Sequence, residues 1–173
     1  MWFRTELLLL LCALLPLQAA THQCGNLSSQ TSPRKPSGDL VVAGGGFASV
    51  RCVPPRGALD MSGARALTLR CSGDGRSGYK LTLKTDANMD GVSYQQNFTP
   101  ASSRDGTPQP VRLPLSGFRA SFRGMPVPNA PPLRGEDIVQ IGIMLSRYDE
   151  GRVDNSVAAG QFRLRVASLE AER

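Results

Sequence analysis

The chain has 173 residues and a net charge of +6, enough for one domain of ordinary size with its own core. Seventeen of its 20 basic residues are Arg, scattered without a basic run, and aromatic residues make up 6%. Nucleic-acid binders concentrate charge on one face and offer stacking platforms, so the composition argues against that class. Thirteen Pro and 18 Gly favour short strands and many turns.

Residues 1–20 read as a signal-like leader. Arg4 precedes an apolar run from Leu7 to Leu17, and Leu17-Gln18-Ala19 suits a signal peptidase. The run is too short to span a bilayer, and it lacks the Arg-rich, amphipathic character of a mitochondrial presequence. Residues 21–36 are polar and Ser/Thr/Pro-rich, a flexible lead-in. Two strands follow, Asp39 to Ala43 and Gly46 to Cys52, joined at Gly44-Gly45-Gly46. No further glycine stands at the spacing of a dinucleotide fingerprint. After a loop at Val53 to Gly57, Leu59 to Ser62 reads as a single turn.

Leu67, Leu69 and Cys71 then alternate with polar residues, as do Tyr79, Leu81 and Leu83. Successive side chains on a strand point to opposite faces, so each run has one buried face. With Gly73 to Gly78 between them the two runs read as a β-hairpin. Further alternating strands are Val92 to Phe98, Val111 to Leu115, Val139 to Leu145 and Phe162 to Val166. Pro114 cannot donate to a ladder and marks an edge or a strand end. Val139 to Leu145 is the most apolar and reads as central. Ser116 to Pro132 reads as a surface excursion and Arg147 to Gly160 as a charged loop. Eight strands without an amphipathic helix predict an all-β fold, a jelly-roll β-sandwich.

The one histidine, His22, lies just past the expected cleavage point, which removes Ser-His-Asp and Cys-His catalysis. No catalytic, cofactor or metal residues are assigned. Asp86-Ala87-Asn88-Met89-Asp90-Gly91 copies the first half of a calcium loop, but Asn97 stands where a bidentate Glu belongs. The segment reads better as a turn between strands. Cys24, Cys52 and Cys71 fit no zinc spacing; Cys52 and Cys71 could pair in an oxidising compartment, but small buried hydrophobes are the preferred reading. Asn26-Leu27-Ser28 and Asn97-Phe98-Thr99 fit the glycosylation pattern, the second weakened by Pro100. Outward positions carry Arg70, Lys80, Lys84, Arg163 and Arg165. On one sheet these would form a basic platform for an acidic partner or for lipid headgroups in peripheral membrane contact. Arg119, Phe122 and Arg123 are the better candidates for partner contact, because Arg and aromatic residues dominate binding hot spots.

Several stretches occur in an order and spacing that resembles the complex I intermediate-associated protein 30 family. They are Gly45 to Arg51, Leu67-Thr68-Leu69-Arg70 with Gly73-Asp74-Gly75, and Tyr79-Lys80-Leu81. Tyr94 to Phe98, Val111 to Phe118, Phe122-Arg123-Gly124, Ile138 to Met144 and Phe162-Arg163-Leu164 follow. The resemblance covers residues 37–169 and leaves 170–173 as a tail. It implies a galactose-binding-like β-sandwich without catalysis of its own. Such a domain would bind protein subunits or assembly intermediates of mitochondrial complex I or a related membrane complex, with no cofactor. By resemblance the protein is mitochondrial, whereas the leader points to the secretory pathway or a complex plastid. The alternative function is a secreted carbohydrate-binding module. Trp2, the one Trp, lies in the leader and offers no stacking platform for a sugar.

Overall fold

The computed structural model describes residues 21–23, 37–41, 46–54, 61–86, 88, 90–103 and 105–173. Thirteen strands are seen among them. They are β1 (Thr21–Gln23), β2 (Ser37–Leu40), β3 (Phe47–Val53), β4 (Ala66–Gly73), β5 (Tyr79–Lys84), β6 (Ser93–Phe98) and β7 (Gln109–Pro114). Then come β8 (Arg119–Phe122), β9 (Met125–Pro126), β10 (Gln140–Ser146), β11 (Tyr148–Asp149), β12 (Arg152–Val153) and β13 (Gly160–Glu172). One sheet runs β1-β3-β10-β5-β6-β8-β9, and a second runs β2-β13-β4-β7. They pack as a jelly-roll β-sandwich.

The core follows from the alternation. Tyr79, Leu81 and Leu83 of β5 and Ile141, Ile143 and Leu145 of β10 face Leu67, Leu69 and Cys71 of β4, with Leu164 and Leu169 of β13. Each fully buried leucine contributes about 1.5–3 kcal/mol of transfer free energy. As expected, β10 is central, between β3 and β5, and β7 ends at Pro114 on the edge of its sheet.

Three expectations are corrected. The pair β4 and β5 is not a hairpin: β4 bonds to β13 and β7, and β5 to β10 and β6. Their connection, residues 74–78, crosses from one sheet to the other. Two apolar-faced strands look alike in sequence whether they share a sheet or oppose each other across a core. Thr21–Gln23, within the supposed flexible lead-in, pairs parallel with β3; three residues are too few for an alternation to register. The stretch 170–172 is not a tail but the end of β13, pairing with β4. A bulge between Val166 and Ser168 hid that extension. The extra residue shifts the inward set from even positions (Leu164, Val166) to odd ones (Leu169, Ala171), which ends the visible period of two.

The surface excursion and the charged loop also hold structure. Residues 119–126 add β8 and β9 to the first sheet, and 148–153 form the hairpin β11–β12. Gly44 and Gly45 of the triple glycine, and the first half of the expected turn at Leu59 to Ser62, lie outside the described residues.

Candidate functional site

Along β5 the residues that point away from the core are Lys80, Thr82 and Lys84. An outward lysine on a strand normally reaches water, yet these two side chains are each only 4% exposed. Lys80 Nζ donates to the Tyr148 main-chain oxygen and to Asp149 Oδ1, both at 2.7 Å. Lys84 Nζ donates to the Asn88 main-chain oxygen and pairs with Asp86 Oδ1 at 3.5 Å. The same chemistry recurs at both ends of β5: one carbonyl and one carboxylate hold an ammonium beneath a loop. A buried charge persists only with such partners.

The second of these pins answers the question of the calcium-like loop. Asp86 Oδ1 also accepts from the Asn88 N–H at 2.9 Å, and Asp90 faces Arg123 at 4.0 Å. Asp86 Oδ1, the first oxygen a cation would need, is thus given to an internal ammonium and to the turn itself. A Cβ on Gly91 would meet the folded-back Asp86 carboxylate, which would have to swing aside. Among the described residues no group of three or more His, Cys, Asp or Glu could hold a metal.

The first pin holds the hairpin β11–β12 over the sheet. Asn97 Nδ2 donates to Asp149 Oδ2 at 2.9 Å, so one carboxylate ties two strands of the sheet to the hairpin. Beneath lies a cleft of about 310 Å³, lined by Ser77, Lys80, Asn97, Thr99, Asp149 and Asp154 among others. Hydrogen bonds from the Ser156 side chain and N–H hold the Asp154 carboxyl below its usual range. Past Asn97 and Asp149 a smaller hollow of about 140 Å³ continues between Gln95, Arg119 and Glu150.

The hairpin's other face is apolar. Tyr148 and Val153 pair across it and are 41% and 51% exposed. Its turn, Glu150-Gly151, has positive φ at both positions, as has Arg123-Gly124 between β8 and β9. Both are two-residue turns of the kind whose twist matches the strands they join. The two turns bond to each other, the Gly151 N–H donating to the Gly124 oxygen at 2.8 Å. Phe122 and Met125 flank the second turn, 40% and 59% exposed. Four of the seven large exposed apolar side chains among the described residues thus belong to two joined hairpins. Arg123 lies over the Phe122 ring at 5.3 Å, and Arg119 donates to the Ser116 oxygen at 3.1 Å.

The proposed basic platform is divided by the fold. Lys80 and Lys84 lie on the first sheet and are buried, whereas Arg70, Arg163 and Arg165 lie on β4 and β13 of the second. Arg70 faces Glu170 at 3.8 Å, and Arg112 pairs with Glu172 at 2.7 Å. Thr68 and Arg112, in that order, hold the Glu172 carboxyl below its usual range. Alternation locates a residue on a face but not the sheet that owns the face.

Sequence reasoning singled out Arg119, Phe122 and Arg123, read Asp149 as a solvated loop acid, and passed over Met125, Tyr148 and Val153. The available signal was a residue-plus-glycine pair at 123–124 and 150–151, each flanked by large apolar residues. Cys71 is a buried free thiol, as read, whereas Cys52 is disulfide-bonded, which corrects its reading as a simple hydrophobe. Asn97 of the second glycosylation triplet is exposed but engaged with Asp149; Asn26 lies outside the described residues.

A family model described as Complex I intermediate-associated protein 30 matches residues 17–166. An uncharacterized protein of Schizosaccharomyces pombe is 31% identical over 88 residues, which cover 51% of this chain and 36% of that protein. The match thus spans little more than a third of that relative's length. Among solved structures, a family 11 carbohydrate-binding module from Clostridium thermocellum, in complex with a mixed-linked tetrasaccharide, superposes with a TM-score of 0.47. Its identity is 13%, over 82% of this chain and 84% of that one. The family 11 module of the cellulase Lic26A-Cel5E, from the same organism, gives 0.42 at 12% identity, covering 81% and 89%.

Proposed function

The chain belongs to the complex I intermediate-associated protein 30 family, and on that premise we propose that it is a non-enzymatic assembly factor. It would hold protein intermediates while mitochondrial respiratory complex I, or a related membrane complex, is put together. The observation that carries this reading is the patch on the joined hairpins, where Phe122, Met125, Tyr148 and Val153 stand exposed beside Arg123. Apolar and aromatic side chains with an arginine are the usual anchors of a protein interface. Contact with lipid headgroups rests more weakly on Arg70, Arg163 and Arg165, the first of which already faces Glu170.

The test is capture of assembly intermediates by the tagged full-length chain, followed on native gels. Phe122→Ala with Arg123→Ala should abolish co-migration and leave the fold intact. Undiminished co-migration would remove the patch from the reading.

A second reading, a secreted carbohydrate-binding module, draws support from Cys52. A disulfide persists in oxidising compartments and is rare in reducing ones, which fits the signal-like leader better than a matrix protein. Localisation of the tagged chain separates the two. Recovery with partly assembled complexes in an organelle supports the assembly factor, and a secreted product sensitive to glycosidase supports the module.

A further inference from the structure

We infer that the cleft under β11–β12 binds a small, neutral, hydroxyl-rich ligand of the sugar or polyol class. The inference deepens the second reading, since it names the site and ligand class that a carbohydrate-binding module would use; localisation tests that reading separately.

The argument is an inventory of hydrogen-bonding capacity. The Lys80 ammonium has three N–H donors and gives two, to the Tyr148 oxygen and Asp149. Asp154 uses Oδ1 to accept from the Ser156 N–H and hydroxyl, at 2.8 and 2.6 Å, leaving Oδ2. Asn97 gives its amide N–H to Asp149 and keeps its carbonyl oxygen. The Thr99 hydroxyl has no partner among the described residues. One donor, two acceptors and the hydroxyls of Thr99 and Ser77, the latter 3.5 Å from Ser156 Oγ, therefore line a space of about 310 Å³, within the range that small ligands occupy.

Other ligand classes fit worse. An anion would meet two carboxylates, Asp149 and Asp154, against a single ammonium already shared with one of them. A metal ion would have to displace that ammonium, which stands close enough to act on Asp154. An apolar ligand would leave the lysine, amide and carboxylate groups desolvated and unpaired. A hydroxyl both donates and accepts, so adjacent hydroxyls can meet mixed donors and acceptors without net charge. Phe98 also lines the cleft but is 5% exposed and stacks on Tyr79 with centroids 5.8 Å apart. Without a free aromatic face, binding is expected to be weak, on the order of millimolar, because each hydrogen bond is exchanged with water.

The experiment is a titration of the isotope-labelled full chain, followed by amide resonances in NMR. Methyl β-glucoside, methyl β-galactoside and glycerol serve as hydroxyl probes to tens of millimolar, with inorganic phosphate as an anionic control. At least one hydroxyl probe should move the amides of Ser77, Gly78, Phe98, Thr99 and Asp154, and phosphate should not. Thr99→Val and Asp154→Asn should each weaken binding roughly fivefold, the worth of one hydrogen bond. Asparagine at 154 still accepts from Ser156, so the loop is kept. No shift with any hydroxyl probe, equal shifts with phosphate, or undiminished binding in both variants would overturn the inference. None of these outcomes touches the capture assay at Phe122 and Arg123.

Discussion

The outer faces of the two sheets began as the same sequence signal, a basic residue at every second position of a strand, and ended as different physical objects. On the four-stranded sheet Arg70 and Arg112 stay in water; Arg70 pairs sideways with Glu170 on the neighbouring strand, and Arg112 reaches past β4 to Glu172. On the seven-stranded sheet Lys80 and Lys84 are sunk beneath loops, each ammonium held by one carbonyl and one carboxylate. Exposed pairs are worth little, because water screens them and long side chains lose entropy on pairing. A covered ammonium must keep its partners or the loop that covers it will lift. The face is set by alternation; the role is set by whether a loop returns over it.

That contrast can be broken most sharply at Lys80. Lys80→Met fills the same volume but leaves Asp149 without its cation, and should lower unfolding free energy by about 2 kcal/mol. The figure is below the full cost of breaking a buried pair because Asp149 is half exposed. Urea denaturation measures the loss, and limited proteolysis should show new cleavage between residues 147 and 154. Lys84→Met should cost less, since its pairing with Asp86 is longer, 3.5 against 2.7 Å.

A second test reads the interior that both faces cover. Burial raises the Cys71 thiol from 9.0 to about 11, so the folded state holds this proton after the unfolded chain has released it. The stabilisation is complete below pH 9.0 and is lost as pH rises towards 11. Tyr79, also raised by burial, adds loss in the same direction above its usual value. Urea midpoints should therefore fall on going from pH 8 to pH 10.5, less steeply in Cys71→Ala, and native Cys71 should resist alkylation. The smallest effect is expected at Arg70. Arg70→Ala should change stability by no more than about 0.5 kcal/mol, and a larger loss would mean that this face is not the solvated one.

Much of the fold was legible. The apolar faces of β4, β5, β6, β10 and β13 follow from a period of two, and the edge at Pro114 follows from its missing N–H. What was not legible was partnership. Leu67, Leu69 and Cys71 present the same pattern whether they lie beside Tyr79, Leu81 and Leu83 or opposite them. The bulge at Ala167 erased the period just where β13 continues. At the candidate site, Phe122 and Arg123 stood out by type. The cleft did not, because it is assembled from residues whose separation along the chain, such as Lys80 and Asp149, leaves no local trace.

The place of β13 bears on when this domain can fold. Its residues bond on one side to β2 and on the other to β4, so the four-stranded sheet has a gap at its middle until residues 160–172 are available. During synthesis, at about 5–20 residues per second, the strands made earlier wait several seconds with their inner faces open. No sequential hairpin relieves the wait between β4 and β5, and sheets closed by such distant pairings are slow to form. A chain that stays unfolded while it is being made is one that a chaperone can hold and a narrow translocation pore can thread.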